Sequence, residues 1–482
     1  MATGTTLYWH DYETFGVDPR RDRPVQFAGL RTGEDLEVVG DPLELYCRPT
    51  DDYVPHPEAC LITGITPQRA LEQGVSEREF ITRIHHELAR PGTCGVGYNS
   101  MRFDDEVTRH TLYRNLMDPY GREWKNGNSR WDIIDMVRLT YALRPAGIQW
   151  PRREDGHPSF RLEGLTAAND IPHGAAHDAL ADVRATVALA RLVKARQPRL
   201  YDYVYGHRSK QAVARLLVPG SGEPVLHTSA RYPAATGCTT AVLPLAWHPT
   251  NRNGVVVCDL RHDPQQVITA DETALREWLF STADHLPAGV ARPPLKVVLI
   301  NHAPVVVPLN TLDGVAAERI GLDHATIARH AAALGEAGDL TARMHRVFQR
   351  IEPPSPQDPE VALYSGGFIG DGDRRALDVL LAGPPEALAD IPTFADERLE
   401  ELVFRFRARN HPETLDADER RCWEQYRRRR LLSPEAGTGL GLEDYFATIE
   451  RLESERTDAA SRQVLAALKE YGEAMRAGLG SS

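Results

Sequence analysis

The sequence predicts an α/β domain built on a mixed β-sheet, followed by a mostly β domain and a C-terminal helical domain. Strand and helix patterns alternate over residues 1–197, short β-rich segments with turns dominate residues 198–352, and helical patterns fill residues 360–482. The proline-rich segment 353–359 cannot continue a helix and is the predicted linker. A chain of 482 residues also exceeds the ~250–300 residues at which one hydrophobic core stops growing.

In the first domain, apolar and aromatic segments predict strands, and apolar residues four positions apart predict helices. Phe80, Ile84 and Leu88 share one helical face, and Ser76 followed by Glu79 is a capping box at the start of that helix. The predicted strands are 6–10, 26–32, 36–40 and 93–98, and the predicted helices are 76–89, 103–115 and 178–196.

The same patterns predict the elements of the other two domains. In the second domain we expect strands at 239–245, 254–260 and 296–308, with helical insertions at 272–280 and 325–334. In the third domain we expect an antiparallel helical bundle. Its predicted helices are 376–381, 396–407, 417–432, 442–454 and 461–475.

Composition excludes several classes of protein. Hydrophobic residues are 42% and charged residues 26% of the chain, as in ordinary globular proteins. No apolar segment approaches the ~18 residues of a membrane span, and no secretory signal is visible, so we expect a soluble, cytoplasmic protein. The six cysteines form no C-x-x-C pair, which favours free thiols over a zinc site. Because the net charge is −12, any phosphate-binding surface must be local.

The first candidate site motif is an acidic pair at the end of the first strand. Asp11 and Glu13 are two positions apart, so their side chains project from the same face of the strand and both reach one cation. A solvated strand edge is the simpler explanation of such a pair taken alone. A second acidic pair, Asp104 and Asp105, opens a predicted helix, where the helix dipole also favours carboxylates.

The third motif opens the helix predicted over 178–196. His177 lies just before this helix, Asp178 lies at its N-cap and Asp182 follows one turn later. Asp178 and Asp182 are four positions apart and share one face, so the helix holds Asp182 rigidly. A histidine beside a capped helix is usually inert, and this is the alternative explanation for His177.

Together, these motifs predict a metal-dependent nuclease site. Carboxylates from a first strand, a strand-to-helix junction and a late helix suit a hard cation such as Mg²⁺. Two such ions ~3.5–4 Å apart clamp the attacking and leaving oxygens of a phosphodiester. A histidine whose pKa is near neutral accepts the proton of the attacking water.

The motifs D-x-E-T-F, N-x-x-x-F-D and H-D-x-x-x-D, in this order, resemble those of the DEDDh 3′→5′ exonuclease superfamily. Further segments resemble the bacterial exonuclease I family, and they extend over nearly the whole chain. These segments are 10–16 (HDYETFG), 61–67 (LITGITP), 102–107 (RFDDEV), 159–163 (SFRLE), 244–249 (PLAWHP), 363–364 (LY) and 407–410 (RARN).

The resemblance implies a ribonuclease-H-like exonuclease domain, an SH3-like domain and a helical domain around single-stranded DNA. It implies 3′→5′ degradation to 5′-mononucleotides with two Mg²⁺ ions, for which Mn²⁺ can substitute, in DNA repair and recombination. By position, Asp11, Glu13, Asp104 and Asp182 match the metal ligands, with Asp11 bridging both ions. His177 matches the general base, and we expect a monomer.

The resemblance also suggests residues that contact the substrate. Tyr12 and Phe15 flank the acidic pair and would stack on terminal bases, although core packing is the alternative for at least one of them. Arginine and aromatic side chains would hold the strand without reading its sequence. The predicted substrate-contacting residues are Tyr12, Glu13, Phe15 and Arg161.

A protein partner is implied as well. Relatives bind the acidic tail of single-stranded-DNA-binding protein between the first two domains, and Arg144 and Tyr203 match positions used there. This chain departs from the pattern at two positions of that surface, where Asp313 replaces a basic side chain and Pro308 replaces a polar one.

Two other functions fit parts of the sequence. An RNA 3′-trimming exonuclease of the same superfamily would carry the same five catalytic positions, and only the two additional domains favour DNA. A catalytically inactive single-strand-binding adaptor would be expected to lack at least one of the four carboxylates, and all four are present.

Overall fold

The structure of the protein is a computed structural model, and it describes residues 4–174, 178–349, 358–433 and 439–480. The strands are β1 (Thr6–Thr14), β2 (Pro24–Thr32), β3 (Leu43–Tyr46), β4 (Thr93–Gly97), β5 (Ser129–Asp132), β6 (Val225–Thr228), β7 (Thr239–Trp247), β8 (Gly254–Asp259), β9 (Leu295–Leu299) and β10 (Val305–Pro308).

Helices fill most of the remaining described chain. They are α1 (Pro57–Thr63), α2 (Pro67–Gln73), α3 (Glu77–Leu88), α4 (Asp104–Arg114), α5 (Ile134–Leu143), α6 (Leu162–Ala168), α7 (Ala179–Arg196), α8 (Pro198–Gly206), α9 (Lys210–Leu216), α10 (Gln265–Thr269), α11 (Glu272–Phe280), α12 (Gly314–Ile320), α13 (His324–Glu336), α14 (Leu340–Phe348), α15 (Asp371–Ala382), α16 (Arg398–Asn410), α17 (Ala417–Leu432), α18 (Leu442–Glu455) and α19 (Ala459–Gly480).

The chain divides into two compact units. Unit 1 contains the described residues within 1–128, 174–184 and 354–482, and unit 2 contains those within 129–173 and 185–353. The first predicted domain therefore contributes to both units, and the predicted helical domain belongs to unit 1. The predicted linker 353–359 lies mostly outside the described residues.

The sheet of unit 1 is mixed, as the sequence predicts. Its strands follow the order β3-β2-β1-β4, with β1 antiparallel to β2 and parallel to β4. Residues 6–9 of β1 pair with β4, whereas β1 continues beside β2 as far as Thr14. The second half of β1, which carries Asp11 and Glu13, therefore extends beyond its pairing with β4.

One predicted strand of this region is wrong. Residues 36–40 form no strand and make a single bridge, between Val38 and Thr32, while the third strand is β3. Leu36 adopts a left-handed conformation with φ of 71°, which interrupts an extended chain. The turn from Gly33 produces this conformation, because Gly33 N–H donates to Glu37 O.

The predicted helices of unit 1 are confirmed. Ser76 Oγ accepts a hydrogen bond from Glu79 N–H at 3.2 Å at the start of α3, and Phe80, Ile84 and Leu88 are fully buried. The C-terminal helices α15 to α19 cover the five predicted segments, except that α16 begins two residues later than predicted, at Arg398. Part of their apolar surface packs against the first segment of the chain, where Tyr445 shares a core cluster with Phe15.

A network of buried charges also joins the C-terminal segment to the first segment of unit 1. Asp52 forms ion pairs with Arg409 at 2.7 Å and with Arg430 at 3.6 Å. Glu360 pairs with Arg409, with Arg430 at 3.2 Å and with Arg23 at 3.2 Å. All five side chains are at least nine-tenths buried, so the charges compensate one another out of contact with water.

Unit 2 contains the mostly β region that the sequence predicts. Its antiparallel strands follow the order β10-β6-β7-β8-β9, and α11 and α13 are the predicted helical insertions. The predicted strand 296–308 is two strands, β9 and β10, which lie at opposite edges of this sheet. The short strand β6 was not predicted.

Two expectations from composition concern the chain as a whole. Every cysteine is free, and all are buried except Cys422. Within the ranges that the structure describes, no helix has the length and apolar character needed to cross a membrane.

Candidate active site

The site is built around the end of β1. Asp11 and Glu13 project from the same face of this strand, and α7 brings Asp182 to the same place. Each of the three side chains offers a carboxylate oxygen, and these oxygens lie within 4.8 Å of one another. The structure therefore brings together three of the four predicted ligands in a group able to hold a metal ion.

The start of α7 fixes the position of Asp182. Asp178 Oδ1 accepts a hydrogen bond from Ala181 N–H at 3.0 Å, and Asp178 O accepts one from Asp182 N–H at 3.0 Å. Asp178 is thus the N-cap, as predicted. Gln26 Oε1, on the neighbouring strand β2, accepts a longer hydrogen bond of 3.5 Å from Ala179 N–H.

Asp104 stands beside this group at the first position of α4. Its side chain is buried, and Oδ1 accepts a hydrogen bond from Tyr12 N–H at 3.0 Å. Asp104 lies outside the group of oxygens within 4.8 Å, yet its charge acts on both Asp11 and Glu13. The fourth predicted carboxylate is therefore adjacent to the other three.

Burial and mutual repulsion perturb these carboxyl groups. Burial, followed by the charge of Asp104, raises the pKa of Asp11 well above its usual range. Burial, followed by the charge of Asp182, raises the pKa of Glu13 to about 8. Such a set fits a hard divalent cation, because its oxygens are the preferred donors and its repulsion is relieved by positive charge.

Asp105, the neighbour of Asp104, has a different environment. Arg122 Nη2 donates a hydrogen bond to Asp105 Oδ1 at 2.7 Å, and both side chains are almost completely buried. This ion pair holds the first turn of α4, so Asp105 is a structural residue and not a member of the acidic group.

The prediction that Tyr12 and Phe15 stack on DNA bases is wrong for this structure. Phe15 is fully buried in a core cluster with Val25 and Tyr53. The Tyr12 ring is 4% exposed and packs edge-on against Phe27 at a centroid distance of 4.8 Å. Neither ring presents a face to solvent, so core packing applies to both.

The remaining predicted site residues are not among the described members of the acidic group. His177 lies outside the described residues. Arg161 is exposed at the N-cap of α6, in unit 2. In the same unit, Arg144 pairs with Asp313 at 3.0 Å, and the Tyr203 ring stacks on His207 at 3.9 Å.

Two polar residues near the acidic group were not predicted from the sequence. Gln26 is buried directly opposite Glu13 in the β1–β2 register. Thr108 is buried on α4, with its hydroxyl 3.0 Å from that of Tyr12. The one signal that indicates Gln26 is a polar residue between the apolar residues Val25 and Phe27 of β2, whereas Thr108 resembles any helical threonine.

Clustered carboxylates at the end of the first strand of a mixed sheet, completed by a late helix, define a metal-dependent exonuclease domain. Residues 8–190 match the family described as Exonuclease. Residues 208–350 match the Exonuclease I SH3-like domain, and residues 357–475 match the Exonuclease I C-terminal domain. These matches confirm the predicted fold classes.

Relatives match over nearly the whole chain. The exodeoxyribonuclease I of Escherichia coli K12 is 44% identical over 97% of this chain and 98% of its own. The solved exonuclease I of Methylocaldum szegediense is 51% identical and covers 98% of this chain and 99% of its own, with a TM-score of 0.94. The chain belongs to the exonuclease I family, and it is a hydrolytic exonuclease that depends on a divalent metal.

Two further solved structures carry bound partners. A zinc-bound E. coli ExoI–ssDNA complex is 42% identical and covers 98% of this chain and 100% of its own, with a TM-score of 0.93. An ExoI/SSB-Ct complex is also 42% identical with the same coverage, and its TM-score is 0.91.

Proposed function

We propose that this exonuclease degrades single-stranded DNA from its 3′ end and releases 5′-mononucleotides. The observation that carries the proposal is the group formed by Asp11, Glu13 and Asp182, with Asp104 beside it. Hydrolysis of a phosphodiester requires positioning and charge neutralisation more than covalent chemistry by the protein. The ssDNA complex of the E. coli relative supports the choice of DNA over RNA.

Mg²⁺ is the proposed metal, with two ions in the active enzyme and Mn²⁺ as a substitute. Asp11, Glu13, Asp104 and Asp182 would hold the ions, with Asp11 bridging them. Ions held there would supply the positive charge that activates a water molecule and that neutralises the departing 3′ oxygen. The carboxylates are preorganised for this role, because β1 and the first turns of α4 and α7 fix their positions.

His177 is the proposed general base. It precedes the N-cap residue Asp178 by one position, and a histidine with a pKa near neutral can accept the proton of the attacking water. Glu13 would also contact the 3′-terminal nucleotide, and Arg161 would neutralise a phosphate of the strand. Because the net charge is −12, such phosphate contacts must be local.

The protein partner proposed for unit 2 is the acidic tail of single-stranded-DNA-binding protein, as the ExoI/SSB-Ct complex suggests. Arg144 and Tyr203 would contact it. Asp313 already forms an ion pair with the Arg144 guanidinium at 3.0 Å, and both side chains are more than one-third exposed. The tail's carboxylates would therefore compete with Asp313 for Arg144, which weakens binding.

Three domains are proposed for the chain, at residues 1–197, 198–352 and 360–482, joined by the linker 353–359. The family matches at 8–190, 208–350 and 357–475 support this division. We also propose that the enzyme acts as a monomer in the cytoplasm, in DNA repair and recombination, where single-stranded DNA arises.

The decisive experiment is digestion of 5′-labelled single-stranded DNA, duplex DNA and matched RNA, with Mg²⁺ or with EDTA. We expect Mg²⁺-dependent shortening of single-stranded DNA only. Asp182→Ala should abolish hydrolysis and keep single-strand binding, because it removes a metal ligand and leaves distant DNA contacts unchanged. The exposed Asp444→Ala is the matched control. Parental turnover by Asp182→Ala, or faster digestion of RNA, would contradict the proposal.

A further inference from the structure

Tyr12 occupies the middle position of the acidic pair, and its side chain points away from the acidic face. Its ring is buried against Phe27 of β2. Its hydroxyl lies 3.0 Å from Thr108 Oγ1, on α4. Tyr12 therefore links the strand that carries Asp11 and Glu13 to the helix that carries Asp104.

Tyr12 and Thr108 together hold both the main chain and the side chain of Asp104. The N–H group of Tyr12 donates to Asp104 Oδ1 at 3.0 Å, which fixes the rotation of this carboxylate. Thr108 Oγ1 also lies 2.8 Å from Asp104 O, one helical turn earlier. One buried hydroxyl thus contacts both Tyr12 and the backbone of the adjacent carboxylate residue.

We propose that the Tyr12 hydroxyl is a positioning group for the metal centre, which sets the distance between Asp104 and the two carboxylates of β1. The inference rests on the proposed function, since it takes Asp104 as a metal ligand. Partners that orient metal ligands typically change metal affinity or activity by ~10–100-fold when they are removed. A small displacement suffices, because Mg²⁺ demands near-octahedral geometry.

A purely structural role is the alternative, and Tyr8 provides a matched control. Tyr8 lies on the same strand and face, four positions before Tyr12, and it is 2% exposed. Its hydroxyl is buried without a hydrogen-bond partner among the described residues. Tyr8→Phe and Tyr12→Phe therefore remove the same atom from one core, and they differ in the contact to α4.

The test measures Mn²⁺ binding by calorimetry in the absence of DNA, together with the Mg²⁺ dependence of hydrolysis. We expect Tyr12→Phe and Thr108→Val each to weaken Mn²⁺ binding about tenfold or more. The double variant should bind Mn²⁺ about as weakly as Thr108→Val alone, because Thr108→Val already removes the contact with the Tyr12 hydroxyl together with the contact to Asp104 O. Tyr8→Phe should bind Mn²⁺ as the parent does.

Asp104→Asn separates this inference from the proposed function. If Asp104→Asn keeps parental Mn²⁺ binding and turnover, Asp104 is not a ligand and both proposals fail. If Asp104→Asn is inactive while Tyr12→Phe matches the parent, only the positioning role fails. Equal losses of thermal stability in Tyr8→Phe and Tyr12→Phe, with unchanged Mn²⁺ binding in both, would also overturn it.

Discussion

At the scale of single residues, the acidic group combines side chains from one strand and one helix, and their carboxylate oxygens lie within 4.8 Å of one another. The spacing of Asp11 and Glu13, and the place of Asp182 one turn into a helix, follow from the periods of strand and helix. The burial of Phe15 does not follow, because Phe15 lies beyond the end of β1, where strand alternation gives no guide, whereas alternation does place Tyr12 on the buried face opposite Asp11 and Glu13. Aromatic residues beyond a strand end are therefore ambiguous in sequence.

The raised pKa values of the acidic group predict how metal binding depends on pH. Glu13, with a pKa of about 8, holds a proton at pH 7, and an incoming cation must displace it. We expect the apparent Mn²⁺ affinity to rise from pH 6 towards pH 8, by about tenfold per pH unit for each proton that the cation displaces. Calorimetry in buffers of different ionisation enthalpy would count the protons released. An affinity independent of pH would contradict the assignment.

At the scale of elements, local rules predicted those helices and strands whose ends carry clear signals. The N-caps Ser76 and Asp178 mark the starts of α3 and α7 correctly. The strand expected at 36–40 failed because Leu36 adopts a left-handed conformation that no residue preference indicates. The long strand expected at 296–308 failed because a turn at residues 300–304, which contains the polar Asn301 and His302, separates β9 from β10.

The N-cap residue of α7, Asp178, is predicted to contribute to both the stability and the turnover of the enzyme. Asp178→Ala removes the acceptor of the Ala181 N–H hydrogen bond, and N-cap losses cost about 0.5–2 kcal/mol. We expect a lower midpoint in urea unfolding and reduced turnover, because Asp182 sits on the loosened first turn. Asp178→Asn keeps the acceptor and should recover stability. Turnover as low as that of Asp182→Ala would instead indicate a direct role for Asp178.

At the scale of the whole molecule, the buried charge network could not be predicted from the sequence. Asp52 and Glu360 are more than 300 residues apart and meet only because three arginines converge on them. No periodic pattern in the sequence distinguishes these buried charged residues from charged residues on the surface. The network joins the segment that begins at 358 to the first segment of unit 1.

Glu360→Gln should destabilise the protein by about 3–5 kcal/mol, because it removes one of the carboxylates that compensate three buried arginines. The nearby arginines hold the pKa of Glu360 well below its ordinary value, despite burial, which acts in the opposite direction. The unfolded chain therefore binds more protons, and this stabilisation is complete above about pH 5 and lost as pH falls further. Urea unfolding of Glu360→Gln against the exposed control Glu470→Gln checks both points. A constant difference down to pH 3 would contradict them.

The central claim is that Asp11, Glu13, Asp104 and Asp182 form one divalent-metal centre. Its most direct test is the anomalous difference map of a crystal soaked with Mn²⁺. We expect the strongest peaks within about 2.0–2.4 Å of carboxylate oxygens from these four residues. Mn²⁺ peaks elsewhere in the protein, with this group of carboxylates unoccupied at saturating metal, would contradict the account.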